Sequence, residues 1–370
     1  MGVRELADYP WDTVTAYRER AARHPDGLVD LSIGSPVDPT PEVIRRALAE
    51  ATDAHAYPQT VGTADVRDAI VDWYARRRGV PDLTAANVMP TIGSKELVAL
   101  LPLLLGLGPG DLVVHPRVAY PTYAVGAAVV GARALAADDP AEWPEGAKLI
   151  WINTPGNPDG RTWGVDELRA AVRRAREIGA VLASDECYAE LGWDGPWAHE
   201  IIPSVLDPRV TEGSRSGLLS VYSLSKQSNL AGYRAAFIAG CAHLVGDVLA
   251  ARKHLGLMPP APVQHAMAVA LRDDEHVAAQ KQLYRARREV LLPALERAGF
   301  RIDGSQAGLY LWATEGRDAW DSMGRLASLG ILAGPGHFYG DHSAQHVRLS
   351  LTAPLERVQQ AAARLVASRP

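Results

Sequence analysis

Apolar and polar positions follow two rhythms along this chain. Short apolar runs of strand length recur at Val88-Met89-Pro90-Thr91, Asp111 to His115, Lys148 to Ile152, Ala180 to Glu186, Gly217 to Tyr222 and Ala235 to Gly240. Between several of them lie stretches with helical spacing: residues 64–79, the apolar segment after Gly93, and residues 166–178 with arginines on the outer face. Runs that are apolar at nearly every position suit strands buried on both faces. Their alternation with amphipathic helices predicts an α/β chain with a mostly parallel sheet. The pattern changes near residue 276. A long charged helix, residues 276–298 with Pro293 near its end, precedes short strands (308–312, 330–332, 346–351) and helices (318–329, 355–366). That change predicts a second, smaller α+β domain.

Composition narrows the partners. The 370 residues are 47% hydrophobic and 22% charged, as in an ordinary globular protein. A net charge of -5 argues against a broad nucleic-acid footprint. Cys187 and Cys241 have neither disulfide-framework nor metal-ligand spacing, so no metal site is expected. The first ten residues carry no signal-peptide pattern, and the stretch Leu97–Leu107, interrupted by Pro102, is too short to span a bilayer. A cytoplasmic location is expected.

Candidate chemistry gathers at the C-terminal ends of the predicted strands, where ligands bind in open α/β sheets. Lys226 stands in Ser223-Leu224-Ser225-Lys226-Gln227-Ser228-Asn229-Leu230-Ala231-Gly232-Tyr233-Arg234, between two apolar runs. Desolvation and nearby positive charge favour a neutral amine able to attack an aldehyde. The serine hydroxyls and Arg234 can hold an anionic phosphate beside it. Read alone, the same segment is a polar turn. Gly93-Ser94-Lys95 opens a helix, either as an anion cradle or as a simple cap with Ser94 at the N-cap. Tyr120 can stack on a flat ring or pack in the core. Asn157 lies in the rigid turn Asn153-Thr154-Pro155-Gly156-Asn157-Pro158-Asp159-Gly160 and can donate to a phenolate oxygen. Asp185, at a strand end, can pair with a protonated ring nitrogen, with Tyr188 three residues on; the alternative is an acidic loop. The Arg76-Arg77-Arg78 cluster reads as a solvated helix end, and His115, His254 and His265 as structural.

In order and spacing, these segments resemble the fold-type I pyridoxal-phosphate enzymes, aminotransferase class I/II, across essentially the whole chain. The resemblance implies a large domain, 38–275, with a mostly parallel seven-stranded sheet, and a small domain formed by 1–37 and 276–370. It implies pyridoxal 5'-phosphate as cofactor. Lys226 would link to its aldehyde and move the substrate proton. Asp185 would pair with the ring nitrogen, Asn157 and Tyr188 with the ring oxygen, and Tyr120 would stack on the ring. Gly93, Ser94, Lys95, Ser223, Ser225 and Arg234 would hold the phosphate. Tyr57 would cross a homodimer interface to the partner's phosphate. Arg348 would clamp the substrate α-carboxylate, a task suited to a planar guanidinium, with Asn157 and the Gly34 backbone beside it. His337, Phe338 and Tyr339 would lie in a loop near the mouth of the site.

Within the class the chain is similar to the actinobacterial type of N-succinyldiaminopimelate aminotransferase of lysine biosynthesis. That likeness rests on Ser223–Arg234, Gly93-Ser94-Lys95-Glu96 and Arg252–Gln264. It implies amino transfer between N-succinyl-LL-2,6-diaminopimelate and 2-oxoglutarate, with Gln227, Asn229, Lys253 and His337 as candidates for the distal end. The motifs also fit an aminotransferase of other specificity, or a Cβ-S lyase. A non-catalytic sensor domain is opposed by the net charge, and a degenerate scaffold by the intact set of cofactor positions.

Overall fold

A computed structural model describes residues 10–368 of the protein. The N-terminal stretch Met1–Tyr9, included in the signal-peptide expectation, lies outside the described residues. Thirteen strands occur among the described residues: β1 Val29–Asp30, β2 Val88–Ile92, β3 Leu112–His115, β4 Arg133–Ala136, β5 Ala147–Asn153, β6 Val181–Asp185, β7 Leu218–Ser223, β8 Ala235–Gly240, β9 Arg301–Ile302, β10 Tyr310–Thr314, β11 Ile331–Leu332, β12 Gly334–Pro335 and β13 His346–Ser350. Seven form one sheet in the order β2-β8-β7-β6-β5-β3-β4. The five strands from β7 to β4 run parallel. β8 is antiparallel to both of its neighbours. The mostly parallel seven-stranded sheet is therefore present, with β8 as its reversal.

Side-chain alternation explains the near-continuous apolar runs. In β5, Ile150 and Ile152 face one core while Leu149 and Trp151 face another. The first core packs under the helices Ala64–Arg78, Val165–Glu177 and Ala261–Arg272. The second packs under Ser94–Leu104, Thr122–Val130 and Ala242–Leu255. Sequence periodicity had not marked Thr122–Val130: its nine residues are almost uniformly apolar, so no amphipathic face shows.

A third core joins residues 14–31 to residues 284–365 and also takes in Cys187, Tyr188, Leu191 and Trp193, which follow β6. Above it lie the antiparallel sheet β12-β13-β10-β9 and the parallel pair β1-β11. The N-terminal segment is stitched in by backbone bonds, including Ser350 N to Leu31 O at 2.8 Å. This brings Ser32 and Gly34 beside β13, more than three hundred positions later in the chain. Among the described residues, no helix is long and apolar enough to cross a membrane.

The arginine cluster is a solvated helix end only in part: Arg76 is exposed and Arg77 half-exposed, while Arg78 is buried. Arg76 pairs with Asp274 at 3.1 Å, and Arg77 bonds Glu190. Arg78 is 1% exposed and donates to Glu186 at 3.0 Å beneath the sheet. Glu186 also accepts from Ser204 Oγ at 3.1 Å and Val205 N at 2.8 Å. Replacing one member of such a pair strands a buried charge. Arg78→Met is therefore expected to cost on the order of 3–5 kcal/mol of stability, and Arg78→Met combined with Glu186→Gln less. Denaturant unfolding of both variants checks this. Equal losses would show that the ion pair is not what holds Glu186.

Candidate active site

Five strand ends converge on one pocket. β2 runs through Gly93 into the helix Ser94–Leu104. Gly93, not Ser94, is the N-cap, with φ +77, and a Cβ there would lie 2.2 Å from Arg234 Nη2. The positive φ favours glycine, and a Cβ would in addition force the Arg234 guanidinium to shift. Arg234 itself has φ +56, and its Nη1 donates to Ala231 O at 2.7 Å. After β7, Ser223 caps the single helical turn Leu224–Gln227. Its hydroxyl donates to Ser225 Oγ at 2.8 Å and accepts from Ser225 N at 3.1 Å, which holds Ser225 in place. Lys95 is exposed on the first turn of its helix, outside this group.

Lys226 sits in the same short turn, and Tyr284 Oη donates to its carbonyl at 3.1 Å. Its Nζ donates to Gly34 O. Burial pushes the amine's pKa below the ordinary lysine range, and the positive charges of Arg348 and Arg234 act in the same direction. No carboxylate pairs with it among the described residues.

Asp185 ends β6. Asn153 Nδ2 and Thr154 N donate to its backbone carbonyl at 2.9 and 3.0 Å, tying it to the loop after β5. Its carboxylate accepts from Tyr123 Oη at 2.9 Å and Cys187 N at 3.2 Å. Burial raises its pKa, and the hydrogen bonds from Cys187 and Tyr123 oppose that rise. It makes no salt bridge among the described residues.

Arg348, on β13, is 4% exposed. It donates to Asn157 Oδ1 at 2.9 Å and to Ser32 O at 2.7 Å. Its guanidinium lies 4.0 Å from the Tyr310 ring centroid, 5.1 Å from Tyr339 and 5.7 Å from Trp11. With its carbonyl accepting from Arg348, the Asn157 amide has its NH2 end available as a donor. Among the described residues Arg348 too has no carboxylate partner. Tyr188 and Tyr310 meet through their hydroxyls at 3.3 Å. Burial pushes the Tyr188 phenol well up; at Tyr310 burial acts in the same sense, but Arg348 and Lys226 reverse it. A Cβ at Gly34 would lie 2.2 Å from Tyr310 Oη, so the close approach of this segment needs glycine.

These contacts bring together Gly34, Asn157, Tyr188, Lys226, Arg234 and Arg348, with Gly93 against Arg234, Asp185 and Ser94 both against Cys187, Tyr120 near Arg348, and Ser223 and Ser225 in the lysine turn. Tyr57 stands apart, 97% exposed. The candidates for a distal substrate contact fare differently. Gln227 is buried against Tyr222 and Ser228, and Asn229 bonds Gln280 at 2.8 Å; both serve the lysine loop. Lys253 is exposed. His337 stacks on Trp320 and pairs with Asp318 at 3.3 Å. Phe338 meets the Trp11 ring edge-on at 5.1 Å. Sequence reading missed Tyr123, Tyr310, Trp11 and Ser32. Only Tyr123 had a local signal, its position three residues after Tyr120.

The donor set fits pyridoxal phosphate. Serine hydroxyls and Arg234 around a glycine N-cap suit a phosphate. A buried amine of lowered basicity suits an aldehyde. A buried carboxylate with no cation suits a protonated ring nitrogen.

The chain belongs to the family "Aminotransferase class I and II", whose pattern matches residues 26–365; its members depend on pyridoxal phosphate. It is 52% identical over 364 residues to the 4-dedimethylamino-4-oxo-anhydrotetracycline transaminase OxyQ of Streptomyces rimosus, covering 98% of this chain and 100% of that protein. It is 53% identical over 361 residues to a probable aminotransferase of Mycobacterium tuberculosis, covering 97% and 85%. A solved probable N-succinyldiaminopimelate aminotransferase from Thermus thermophilus superposes with a TM-score of 0.87 at 29% identity, covering 97% and 100% of the two chains.

If Gly93 supports the phosphate site, Gly93→Ala, which displaces Arg234, is expected to weaken cofactor binding by about tenfold, the worth of one charge-assisted hydrogen bond. Titration of the apo-protein with pyridoxal phosphate measures this. Unchanged affinity would remove Gly93 and Arg234 from the phosphate site.

Proposed function

We propose that this aminotransferase moves the amino group of N-succinyl-LL-2,6-diaminopimelate to and from 2-oxoglutarate, in lysine biosynthesis. One observation carries the underlying chemistry: among the described residues, the buried Arg348 and the half-buried Lys226 have no carboxylate partner, and the buried Asp185 has no cation. Such charges are costly alone. An anionic amino acid and a protonated ring complete them.

Bound pyridoxal phosphate supplies a ring that withdraws electrons from the substrate's Cα. The chain's residues do the rest. Ser94, Ser225, Arg234 and the Gly93 backbone would hold the phosphate, with Ser223 supporting Ser225 and Lys95 at the edge. Asp185 would keep the ring nitrogen protonated, Asn157 and Tyr188 would donate to the ring oxygen, and Tyr120 would cover one face. Arg348 grips the α-carboxylate with Asn157 and the Gly34 backbone nearby, so the Cα–H bond faces Lys226. The Lys226 amine, whose basicity burial lowers, takes that proton and returns it.

The full exposure of Tyr57 supports a homodimer in which it reaches the partner's phosphate. We also propose the division of the chain into 38–275 and 1–37 with 276–370, and a cytoplasmic location. The likeness to the Thermus thermophilus structure supports the succinylated substrate. The 52% identity to OxyQ favours a second reading, in which the acceptor is a polycyclic ketone.

The test is to mix the purified protein with N-succinyl-LL-2,6-diaminopimelate and 2-oxoglutarate and follow glutamate and the cofactor spectrum. Glutamate formation supports the first reading. A spectrum that responds to glutamate but not to the succinylated amine discards it in favour of a different acceptor. A spectrum that responds to neither points to a lyase or a sensor.

A further inference from the structure

We propose that Tyr123 is a positioning residue for Asp185: its hydroxyl keeps the carboxylate ionised and aimed, while its ring separately backs Tyr120. The inference rests on the reading of Asp185 as the partner of the cofactor's ring nitrogen.

Tyr123 lies in the first turn of the helix Thr122–Val130 and is fully buried. Its ring stacks on Trp151, with centroids 5.1 Å apart and planes at 27°. It meets Tyr120 edge-on at 6.0 Å. A core aromatic with those two contacts needs no hydroxyl. Yet the hydroxyl is there, buried, and donates to the Oδ2 atom of Asp185 at 2.9 Å. The other carboxylate oxygen accepts from Cys187 N at 3.2 Å. The two oxygens are thus held from two elements, the helix and the chain after β6, which fixes the plane of the carboxylate.

The titratable groups acting on Asp185 are Tyr123 from the helix and Cys187 and Glu186 from the following chain. The Glu186 charge is matched by Arg78. Burial raises the Tyr123 phenol well above its ordinary value, so it remains a donor and never a competing anion. A donor to a carboxylate stabilises the ionised form. With the donor gone, Asp185 binds a proton more tightly and the ring nitrogen carries less positive charge. The ring then draws less charge from Cα, and proton removal by Lys226 slows. Arg348 and its contacts are untouched.

Tyr123→Phe removes one oxygen and keeps both ring contacts. In the holoenzyme it is expected to lower kcat by about tenfold, the scale of one hydrogen bond to a charged group, with KM for the amino donor nearly unchanged. The pH midpoint of the bound cofactor's absorbance is expected to move upward, because a less positive ring holds the neighbouring proton more tightly. In an Asp185→Asn background the same replacement is expected to add almost nothing. An unmoved midpoint, or losses that simply add in the double variant, would overturn the proposal. So would failure of Tyr123→Phe to fold, since the hydroxyl would then be structural. Asp185→Asn by itself separates the two levels. If it leaves spectrum and turnover intact, the reading of Asp185 fails. If it abolishes turnover while Tyr123→Phe is silent, only the role of Tyr123 fails.

Discussion

Lys226→Ala is expected to fold and to lose turnover by on the order of 10⁴-fold or more, the upper range for removing a positioned acid–base group. The side chain contributes its amine to the pocket, while the turn that carries it is held by other groups. Ser223 caps the turn, Tyr284 binds its carbonyl, and Gln227 and Asn229 are anchored behind it. Cofactor would stay in place through the phosphate and ring contacts alone, and the absorbance that reports its link to the lysine would vanish. Absorbance spectra and single-turnover rates measure both effects. Retention of full activity would sink the mechanism. The lowered pKa of Lys226 also sets a pH dependence. A lysine depressed in the folded state binds fewer protons there than in the unfolded chain, so the unfolded state is favoured as pH falls. The apo-protein is therefore expected to gain stability as pH rises through the folded-state value and to level off near the ordinary lysine range. Thermal melts of apo wild type against Lys226→Ala isolate this contribution.

Arg348→Ala is expected to lower kcat/KM for both amino and 2-oxo acids by about 10²–10³-fold, from the roughly 2–5 kcal/mol that truncating a buried hydrogen-bonded charge costs. Cofactor affinity should fall far less, because Arg348 reaches the cofactor site only through Asn157 and touches none of the groups around Gly93 and Ser225. Arg348→Lys should not restore activity. A lysine cannot present a planar fork to a carboxylate, nor lie flat against Tyr310 at 4.0 Å. Steady-state kinetics alongside cofactor titration separates the two roles. Release of cofactor by Arg348→Ala would show that its role is misassigned.

The legible part of the site was local. Lys226, Asp185, Asn157 and Gly93 each follow an apolar strand within a few residues, so strand ends and turn chemistry exposed them. The arginine cluster was misread in part, because helix position is visible in sequence but burial is not. Arg78 looks like a cationic helix end, yet Glu186, 108 positions away, pairs with it inside the fold. Gln227 and Asn229 were misjudged for the same reason. They lie next to Lys226 in sequence, but their side chains turn towards Tyr222 and Gln280.

By itself, the sequence determined the α/β alternation and the order of the strand-end motifs, which follow from periodicity and from residues close to one another in the chain. The resemblance those motifs carry implied the cofactor and the roles around it. The tertiary structure alone decided what surrounds Arg348 and Asp185. Ser32, Trp11 and Tyr310 reach the arginine from distant segments, and Tyr123 reaches the aspartate across 62 positions. Such contacts depend on strand order and on how the N-terminal segment pairs with β11 and β13, and no local pattern encodes that pairing.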